Sequence, residues 1–429
     1  MSKALFVDTD FQKTWLHQLE SLRETIEQTA KEHDEGAYFP EKNIESLIEM
    51  GYTTLSLPAE YGGGGQSVKD MVLFQETLGS MDGATALSIG WHQGVVGEIY
   101  EKKQWNEQQL QFFAEEVKKG ALVNRAVSEA QTGSPTRGGK PGTTATRSGN
   151  EWIINGRKIF TTMSPALTYF LVGVWIEEKE AMGFFLIHRE TAGVSIEETW
   201  NVVGMRGTES HDLILDQVKV SDDMLVEVQK GPRGGTLNPW IAHIPSCYLG
   251  IAQAARDYAV QYAITHSPNS INGTISDLPN VQTLIGEIDL LLKQARHVIY
   301  STTTLYEKPE KRELLINEFG AVKHTVVNHS LQVVDKAMRL VGAKSLSLDC
   351  PLQRYYRDIR AGLHNPPMDD MTISKMAKQA IQEKKRANIQ QKAGYKQASA
   401  CRQTLAFFVS PPRWCSRMLN SLRASARPS

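Results

Sequence analysis

The sequence is poor in several features that mark large classes of protein. Its four cysteines form neither a C-x-x-C pair nor a metal-ligand pattern, so we expect reduced thiols, no metal and a cytoplasmic location. No apolar run approaches the roughly 20 residues that a membrane-spanning helix needs. The first residues turn acidic before any apolar run, unlike a secretory signal. There is also no G-x-G-x-x-G turn behind a strand and no Walker lysine, which argues against a Rossmann or P-loop nucleotide site.

Acidic residues are missing from the C-terminal part of the chain. The total of 47 basic and 48 acidic residues gives a net charge of −1, which argues against a strongly basic nucleic-acid-binding protein. No Asp or Glu follows Glu383, and residues 384–429 hold ten Lys and Arg, so residues 1–383 carry a net charge of −11. We therefore expect 387–429 to be a basic tail, disordered or non-native, such as a frame change or read-through would give. A basic arm for an acidic membrane or an electron-transfer partner is the alternative.

The spacing of apolar residues divides the chain into a helical, a β-rich and a second helical region. Apolar residues recur every three or four positions from Phe11 to Ala30 and again after the linker at 231–235, which is the helical period. Between these regions, β-rich runs flank an Asn155-Gly156 pair, which predicts a hairpin turn at that pair. We therefore expect an α+β multidomain protein. Its parts are an N-terminal helical domain (1–121), a middle β-barrel or β-sandwich domain (122–230) and a C-terminal four-helix bundle (231–386).

Three short segments of the β-rich region combine hydroxyl, aromatic and glycine residues. They are Val127-Ser128-Glu129 with Gly133-Ser134, Lys158-Ile159-Phe160-Thr161-Thr162, and Gly204-Met205-Arg206-Gly207-Thr208-Glu209-Ser210. Hydroxyls and backbone N–H groups at a strand edge could hydrogen-bond an extended polar ring system. Taken singly, each segment is also typical of an ordinary surface strand or loop, so only their combination favours a binding site.

In their order and spacing these segments resemble the acyl-CoA dehydrogenase flavoprotein family. The Leu57–Gly65 loop, Ala337-Met338 with Gly342, and the Pro351–Asp358 segment are also similar to family motifs. The resemblance covers about residues 10–382 and rests on six motifs in the right order. It implies the family's fold, a role in fatty acid metabolism and a homotetramer that shares each cofactor between two subunits.

The resemblance implies FAD, in preference to FMN, between the β domain and the C-terminal bundle. Val127 and Ser128 would contact the isoalloxazine edge, and Phe160 would pack on the ring system. Thr162 would reach the region of N5, and Gly342 would let the backbone approach the cofactor of a neighbouring subunit. The family segment that holds the FAD phosphates is replaced here by the 267–280 loop, and Met338 stands where the family has Gln.

The substrate side is less complete in this sequence. The resemblance implies that Ser134 lines the acyl or CoA entrance, while Arg206 or Arg137 could attract CoA phosphates. The implied substrate is an acyl-CoA or another small molecule, and an electron-transfer flavoprotein or a flavin reductase would be the redox partner. We expect neither nucleic-acid binding nor a membrane span.

The usual catalytic glutamate of the family is missing. Its aligned position is Pro366, and the alternative position on the helix that begins near Trp240 has no carboxylate either. His364, two residues before Pro366, is our candidate catalytic base, since an ordinary imidazole titrates near neutral pH. Each histidine has a structural reading as a hydrogen-bonded residue, and an Asp at 369 or 370 fits a helix cap. The other candidates are Asp369, Asp370, His92 and His243.

Three functions follow from this reading. The first is an FAD-dependent oxidoreductase that performs α,β-dehydrogenation of an acyl-CoA thioester with hydride transfer to flavin N5. The second is a flavin-dependent monooxygenase of the same fold, which uses reduced flavin and O₂ and needs no base for an α-proton. The third is a non-catalytic flavin-binding protein.

Overall fold

The computed structural model describes residues 2–132, 140–229, 238–315 and 317–408, with backbone alone for 394–408. The chain divides into two compact units, Met1–Asp369 and Asp370–Ser429. No helix among the described residues is both long enough and apolar enough to cross a bilayer.

The N-terminal region is helical, as the apolar spacing predicts. Capping boxes start three of its helices: Thr9 pairs with Gln12, Ser67 with Asp70, and Asn106 with Gln109. The α4 and α5 helices are buried on nearly all sides, including polar residues such as Gln75, Glu76 and Gln93. The six α-helices are α1 (Asp10–Ser21), α2 (Arg23–Gly36), α3 (Glu41–Glu49), α4 (Val68–Met81), α5 (Gly83–Lys102) and α6 (Glu107–Lys118).

The β-rich region forms one eight-stranded sheet. Its strand order is β6-β7-β3-β2-β4-β5-β8, and β1 pairs in parallel with β4. One hydrophobic cluster joins the sheet to the helices through residues such as Phe74, Trp152 and Tyr248. The strands are β1 (Val123–Ala126), β2 (Thr144–Ser148), β3 (Glu151–Lys158), β4 (Tyr169–Ile176), β5 (Ala181–His188), β6 (Val194–Glu197), β7 (Asp212–Ser221) and β8 (Leu225–Gln229).

The hairpin turn predicted at Asn155-Gly156 is wrong. Both residues lie inside β3, and the register against β7 shifts between Ile154 and Gly156. The Asn155 Oδ1 accepts a 2.8 Å hydrogen bond from the Gln217 N–H, so the pair marks a bulge rather than a turn. The actual hairpin joins β2 to β3, with Ser148 opposite Glu151.

The second helical region follows the sheet. In the first unit it comprises α7 (His243–Thr265), α8 (Pro279–Tyr306), α9 (Glu318–Val341) and α10 (Pro351–Arg360). The α7, α8 and α9 helices pack against one another, and α4 of the N-terminal region packs against α7. The last helix, α11 (Asp369–Phe408), continues past Arg386, where the sequence pattern predicted that helical structure ends.

Candidate active site

The three β-region segments lie side by side in the folded chain. The Ile159 N–H donates to the Ser128 carbonyl at 2.9 Å, which joins the first segment to the second. The Met163 N–H donates to the Thr208 carbonyl at 2.9 Å, which joins the second to the third. The second and third segments adjoin β3 and β7, which are neighbours in the sheet, and the first follows β1, which pairs with β4; together the segments form a common edge.

A cluster of hydroxyls marks this edge. The Ser210 hydroxyl donates to Thr162 Oγ1 at 2.9 Å, and Thr208 Oγ1 lies 2.9 Å from Ser210 Oγ. The Thr162 carbonyl is fixed by a 3.1 Å hydrogen bond from the Asn124 amide. No acceptor within the described residues takes the Thr162 hydroxyl proton, so this proton is available to a ligand at the edge.

Phe160 presents an aromatic ring at the same edge. Its backbone has φ +57°, a left-handed conformation that is unusual for a bulky residue. The side chain is 62% exposed, although the nearby Lys158 and Thr161 are buried. The Trp200 ring meets it edge to face, with 6.1 Å between centroids. An exposed flat ring beside an available hydroxyl suits a planar heterocycle.

Val127 and Ser128 lie at this edge and are half-buried. A Cβ placed on Gly173 would be 2.7 Å from Val127 Cγ1, so the Val127 side chain packs onto β4. Any contact of Val127 with a ligand would therefore be made by its backbone, as the sequence analysis anticipates for this segment.

A buried ion pair supports the first two segments from behind. The Lys158 ammonium lies 2.5 Å from a Glu129 carboxylate oxygen, and both side chains are buried. Glu129 also accepts hydrogen bonds from the Gly142 N–H at 2.6 Å and the Thr143 hydroxyl at 2.7 Å. Burial by itself raises the pKa of Glu129, but the hydrogen bond and charge of Lys158 outweigh it and lower the pKa to about 2. The sequence analysis gave this pair no role, because its partners lie far apart in the chain.

The two predicted substrate residues fare differently. Ser134 lies outside the described residues, as does Arg137. The Arg206 guanidinium donates to the Asp34 carbonyl at 2.6 Å and to the Val202 carbonyl at 3.3 Å. The first of these carbonyls belongs to the last turn of α2, where a cation is favoured by the helix dipole. These contacts hold part of the Arg206 guanidinium within the fold, and its role toward a substrate stays a prediction.

Gly342 ends α9 with φ +72° and ψ −152°, a combination open essentially to glycine alone. A Cβ built at this position would meet no described atom within 4 Å. The space beside Gly342 is therefore open to a group from outside the described chain.

Comparison with known proteins identifies the family. Family models of the acyl-CoA dehydrogenase N-terminal, middle and C-terminal domains match residues 17–119, 124–218 and 242–365. The chain is 54% identical over 379 residues to a Bacillus subtilis (strain 168) protein named "Putative acyl-CoA dehydrogenase YdbM", with 88% of this chain and 100% of that protein covered. The chain belongs to the acyl-CoA dehydrogenase family. The resemblance expected from the motifs is thereby confirmed.

Solved structures share the architecture of this acyl-CoA dehydrogenase chain. Butyryl-CoA dehydrogenase from Megasphaera elsdenii matches with a TM-score of 0.78 at 19% identity, covering 87% of this chain and 99% of that one. FMN-bound TdsC from Paenibacillus sp. A11-2 matches with a TM-score of 0.75 at 22% identity, covering 84% and 95%. These likenesses confirm the expected fold, which is a flavoprotein fold, and do not specify the flavin or the reaction.

Pro366, which the sequence motifs align with the family's usual base, lies in a turn after α10. Pro366 is half-buried, and the preceding Asn365 accepts a 2.5 Å hydrogen bond from the buried Tyr248 hydroxyl. His364 is exposed, and its backbone N–H donates to the Ala361 carbonyl at 3.0 Å. This arrangement leaves the His364 imidazole as the titratable side chain nearest to Pro366 in sequence.

The segment expected to hold the alternative base begins near Trp240. Trp240 is buried, and its Nε1–H donates to a Glu101 carboxylate oxygen at 2.5 Å. The Tyr306 hydroxyl contacts the other oxygen of Glu101. Burial raises the pKa of Glu101, although the Trp240 hydrogen bond opposes that effect. The Glu101 carboxylate therefore already has two hydrogen-bond partners.

His92 and His243 have structural surroundings. His92 Nε2 lies 3.0 Å from the Thr53 carbonyl, and the Val123 N–H donates to its Nδ1 at 3.2 Å. Burial lowers the pKa of His92 to about 4, so the ring is neutral near pH 7. His243 packs edge to face on Trp91 at 4.8 Å, and burial lowers its pKa to about 3. Neither ring is placed as a base by these contacts.

The two aspartates after the turn lie in the first turn of α11, where a carboxylate is favoured by the helix dipole. Asp369 Oδ2 accepts a 3.0 Å hydrogen bond from Asn328 and lies 3.2 Å from His324 Nδ1. Burial would raise the pKa of Asp369, but these hydrogen bonds lower it overall. Asp370 is exposed.

A polar cleft of about 560 Å³ lies elsewhere in the first unit, among α2, α7 and α10. Residues such as Arg23, Gln253 and Arg354 line it, and none of the three edge segments does. The described part of the chain contains no group of three or more His, Cys, Asp or Glu side chains that could hold a metal ion.

Proposed function

We propose that this chain is a flavin-dependent oxidoreductase that oxidises a small molecule with O₂ and reduced flavin. The observation that carries this proposal is the loss of a carboxylate at both places where the family has its base. Pro366 stands at one, and the segment that begins near Trp240, whose indole donates to Glu101, has no carboxylate at the other. An oxygen-using reaction does not require removal of an α-proton from a thioester, so it tolerates this loss.

The edge of the β domain fits a flavin. Phe160 would lie along the ring system, Ser128 and the Val127 backbone would border it, and the unused Thr162 proton would reach an acceptor near N5. A bound flavin supplies hydride transfer at N5 and, when reduced, reactivity toward O₂. The Thr162–Ser210 hydroxyl pair would hold a proton at this edge, while the Phe160 and Trp200 rings exclude water.

We propose FAD as the flavin, with the cofactor shared in a homotetramer through Gly342. The open space beside Gly342 and its glycine-specific backbone support this assignment. The 267–280 loop in place of the family's phosphate-holding segment favours FMN instead. Release of the flavin from purified protein, followed by chromatography against both standards, decides between them.

The second candidate is acyl-CoA dehydrogenation with His364 as the base. The exposed imidazole of His364 lies two residues before the family's base position, and the relative at 54% identity carries an acyl-CoA dehydrogenase name. In this reaction His364 would take the α-proton while hydride leaves the β-carbon for the flavin. An electron-transfer flavoprotein would then be the partner, whereas a flavin reductase would serve the first candidate.

One experiment separates the two candidates. Anaerobic addition of an acyl-CoA panel to the flavin-loaded protein should leave the visible flavin absorbance unchanged, and reduced flavin with air should yield an oxygenated product from a suitable substrate. Bleaching by any acyl-CoA would overturn the oxygenase assignment. In that event His364→Gln should lower the bleaching rate at least 100-fold if His364 is the base, whereas an unchanged rate would remove His364 from this role.

A further inference from the structure

The loop between β6 and β7 contacts two parts of the molecule. One is the proposed flavin edge, and the other is α10. On the flavin side it supplies Ser210, which donates to Thr162, and Trp200, which packs on Phe160. The Trp200 Nε1–H donates to the Met205 carbonyl at 3.1 Å, so the indole position depends on Met205. A displacement of Met205 would therefore move the side chains that border the flavin.

On the helical side, α10 grips the same loop at three consecutive residues. The Met205 N–H donates to Asp358 Oδ1 at 2.5 Å, and the Arg357 guanidinium donates to the Val203 carbonyl at 2.7 Å. A Cβ on Gly204 would lie 2.3 Å from the Arg357 carbonyl oxygen, so the loop backbone can approach α10 this closely only because residue 204 is glycine.

Asp358 is an unusual choice for such a contact. Its carboxylate is buried, and no Lys, Arg or His among the described residues lies within 4 Å of it to form an ion pair. Burial raises the pKa of Asp358 to about 7, with the Met205 N–H and the Arg354 charge opposing this rise and Asp34 and Asp82 adding to it. The charged and titratable groups that face it are Arg354 and Arg357 on α10, Asp34 on α2, Asp82 before α5, and Cys247 and Tyr248 on α7.

The raised pKa of Asp358 makes the stability of the fold depend on pH. Because the folded pKa lies above the ordinary aspartate value of 3.8, the neutral form of Asp358 is the one that folding favours. Its stabilising contribution is complete below pH 3.8 and is lost as the pH rises through about 7. An amide in its place would avoid this loss, so a carboxylate here opposes stability and calls for a functional reason.

We propose that Asp358 is a positioning residue for the flavin, holding the 203–210 loop through the Met205 N–H so that Ser210 and Trp200 border the ring. This inference rests on the proposed flavin site. An ionised carboxylate accepts a hydrogen bond about twice as strongly as a neutral group. The loop is therefore held more firmly, and flavin binds more tightly, when Asp358 is charged.

The test is flavin titration of the flavin-free full chain at pH 6 and pH 8, on either side of the Asp358 pKa of about 7. The flavin Kd should be about fivefold higher at pH 6 than at pH 8. In Asp358→Asn, whose amide oxygen still accepts from Met205, the Kd should be the same at both pH values and close to the wild-type value at pH 6. The variant should also unfold at a higher temperature than wild type at pH 8.

The control is Asp335→Asn, the same exchange at an exposed carboxylate that pairs with Arg360 at 3.0 Å. It should keep the wild-type pH profile. A wild-type Kd that does not change with pH would overturn the proposal. An Asp358→Asn variant that keeps the change would overturn it as well, because the profile would then belong to another group.

Two further outcomes have different meanings: an Asp358→Asn variant that does not fold, and a wild-type chain that binds no flavin. If Asp358→Asn does not fold, Gly204→Ala tests the loop independently, because its methyl group must push the loop from Arg357 and should weaken flavin binding at both pH values. Unchanged binding in that variant would count against the loop's role. A wild-type chain that binds neither FAD nor FMN would contradict the proposed function itself, whereas binding without pH dependence contradicts only the role of Asp358.

Discussion

The edge of the β sheet and the turn after α10 differ in what their side chains are free to do. At the edge, the Phe160 ring is exposed and the Thr162 proton has no described acceptor. At the turn after α10, Asn365 accepts a hydrogen bond from Tyr248. In the segment of the alternative base, the Trp240 indole donates a hydrogen bond to Glu101. The edge therefore presents groups that suit a planar ligand, whereas the residues at the turn and near Trp240 are packed against or paired with neighbours.

The largest expected effect comes from breaking the ion pair behind the edge. Lys158→Met leaves the buried Glu129 carboxylate without its 2.5 Å partner, so we expect the free energy of unfolding to fall by about 3–5 kcal/mol. Urea unfolding measures this loss. Lys140→Met is the matched control in the same domain, because its pair with Glu177 is exposed and should contribute less than about 1 kcal/mol.

Equal losses in the two lysine variants would show that the edge does not depend on a buried pair. The segments at the edge would then be stabilised no more than the exposed Lys140–Glu177 pair is. The contrast between the edge and the turn would have no structural basis. An Lys158→Met protein that retains full stability would have the same consequence.

A smaller effect should follow from removing the free hydroxyl at the edge. Thr162→Val deletes the proton that would reach the flavin, and we expect the flavin Kd to rise about tenfold, which corresponds to one hydrogen bond. Thr161→Val is a close control, since the buried Thr161 hydroxyl has no described partner and its loss should leave the Kd unchanged. Equilibrium titration with FAD and FMN measures both variants. Equal changes in the two would remove Thr162 from the site.

The comparison also shows what the sequence could and could not predict. The segments of the edge could be singled out because together they resemble family motifs, and the pairing of β3 with β7 brings two of them together. The Asn155-Gly156 turn failed because a cross-strand hydrogen bond to Gln217 stabilises a bulge there. Long-range pairs such as Lys158–Glu129 and Met205–Asp358 carry no local sequence signal. The same holds for Arg206, whose charge alone suggests a phosphate and whose contacts lie on α2.

The smallest expected effect concerns Arg206. It tests whether this residue stabilises the fold or contacts a substrate. Arg206→Met removes the hydrogen bonds to the Asp34 and Val202 carbonyls, so we expect unfolding to require about 1–2 kcal/mol less free energy. Arg147→Met, which breaks an exposed 3.2 Å pair with Asp222, should change stability by less than about 0.5 kcal/mol. The affinity for free CoA, measured by calorimetry, should be the same in both variants, because the Arg206 guanidinium is already occupied by the end of α2. A CoA affinity that falls only in Arg206→Met would instead support a role of Arg206 in substrate binding.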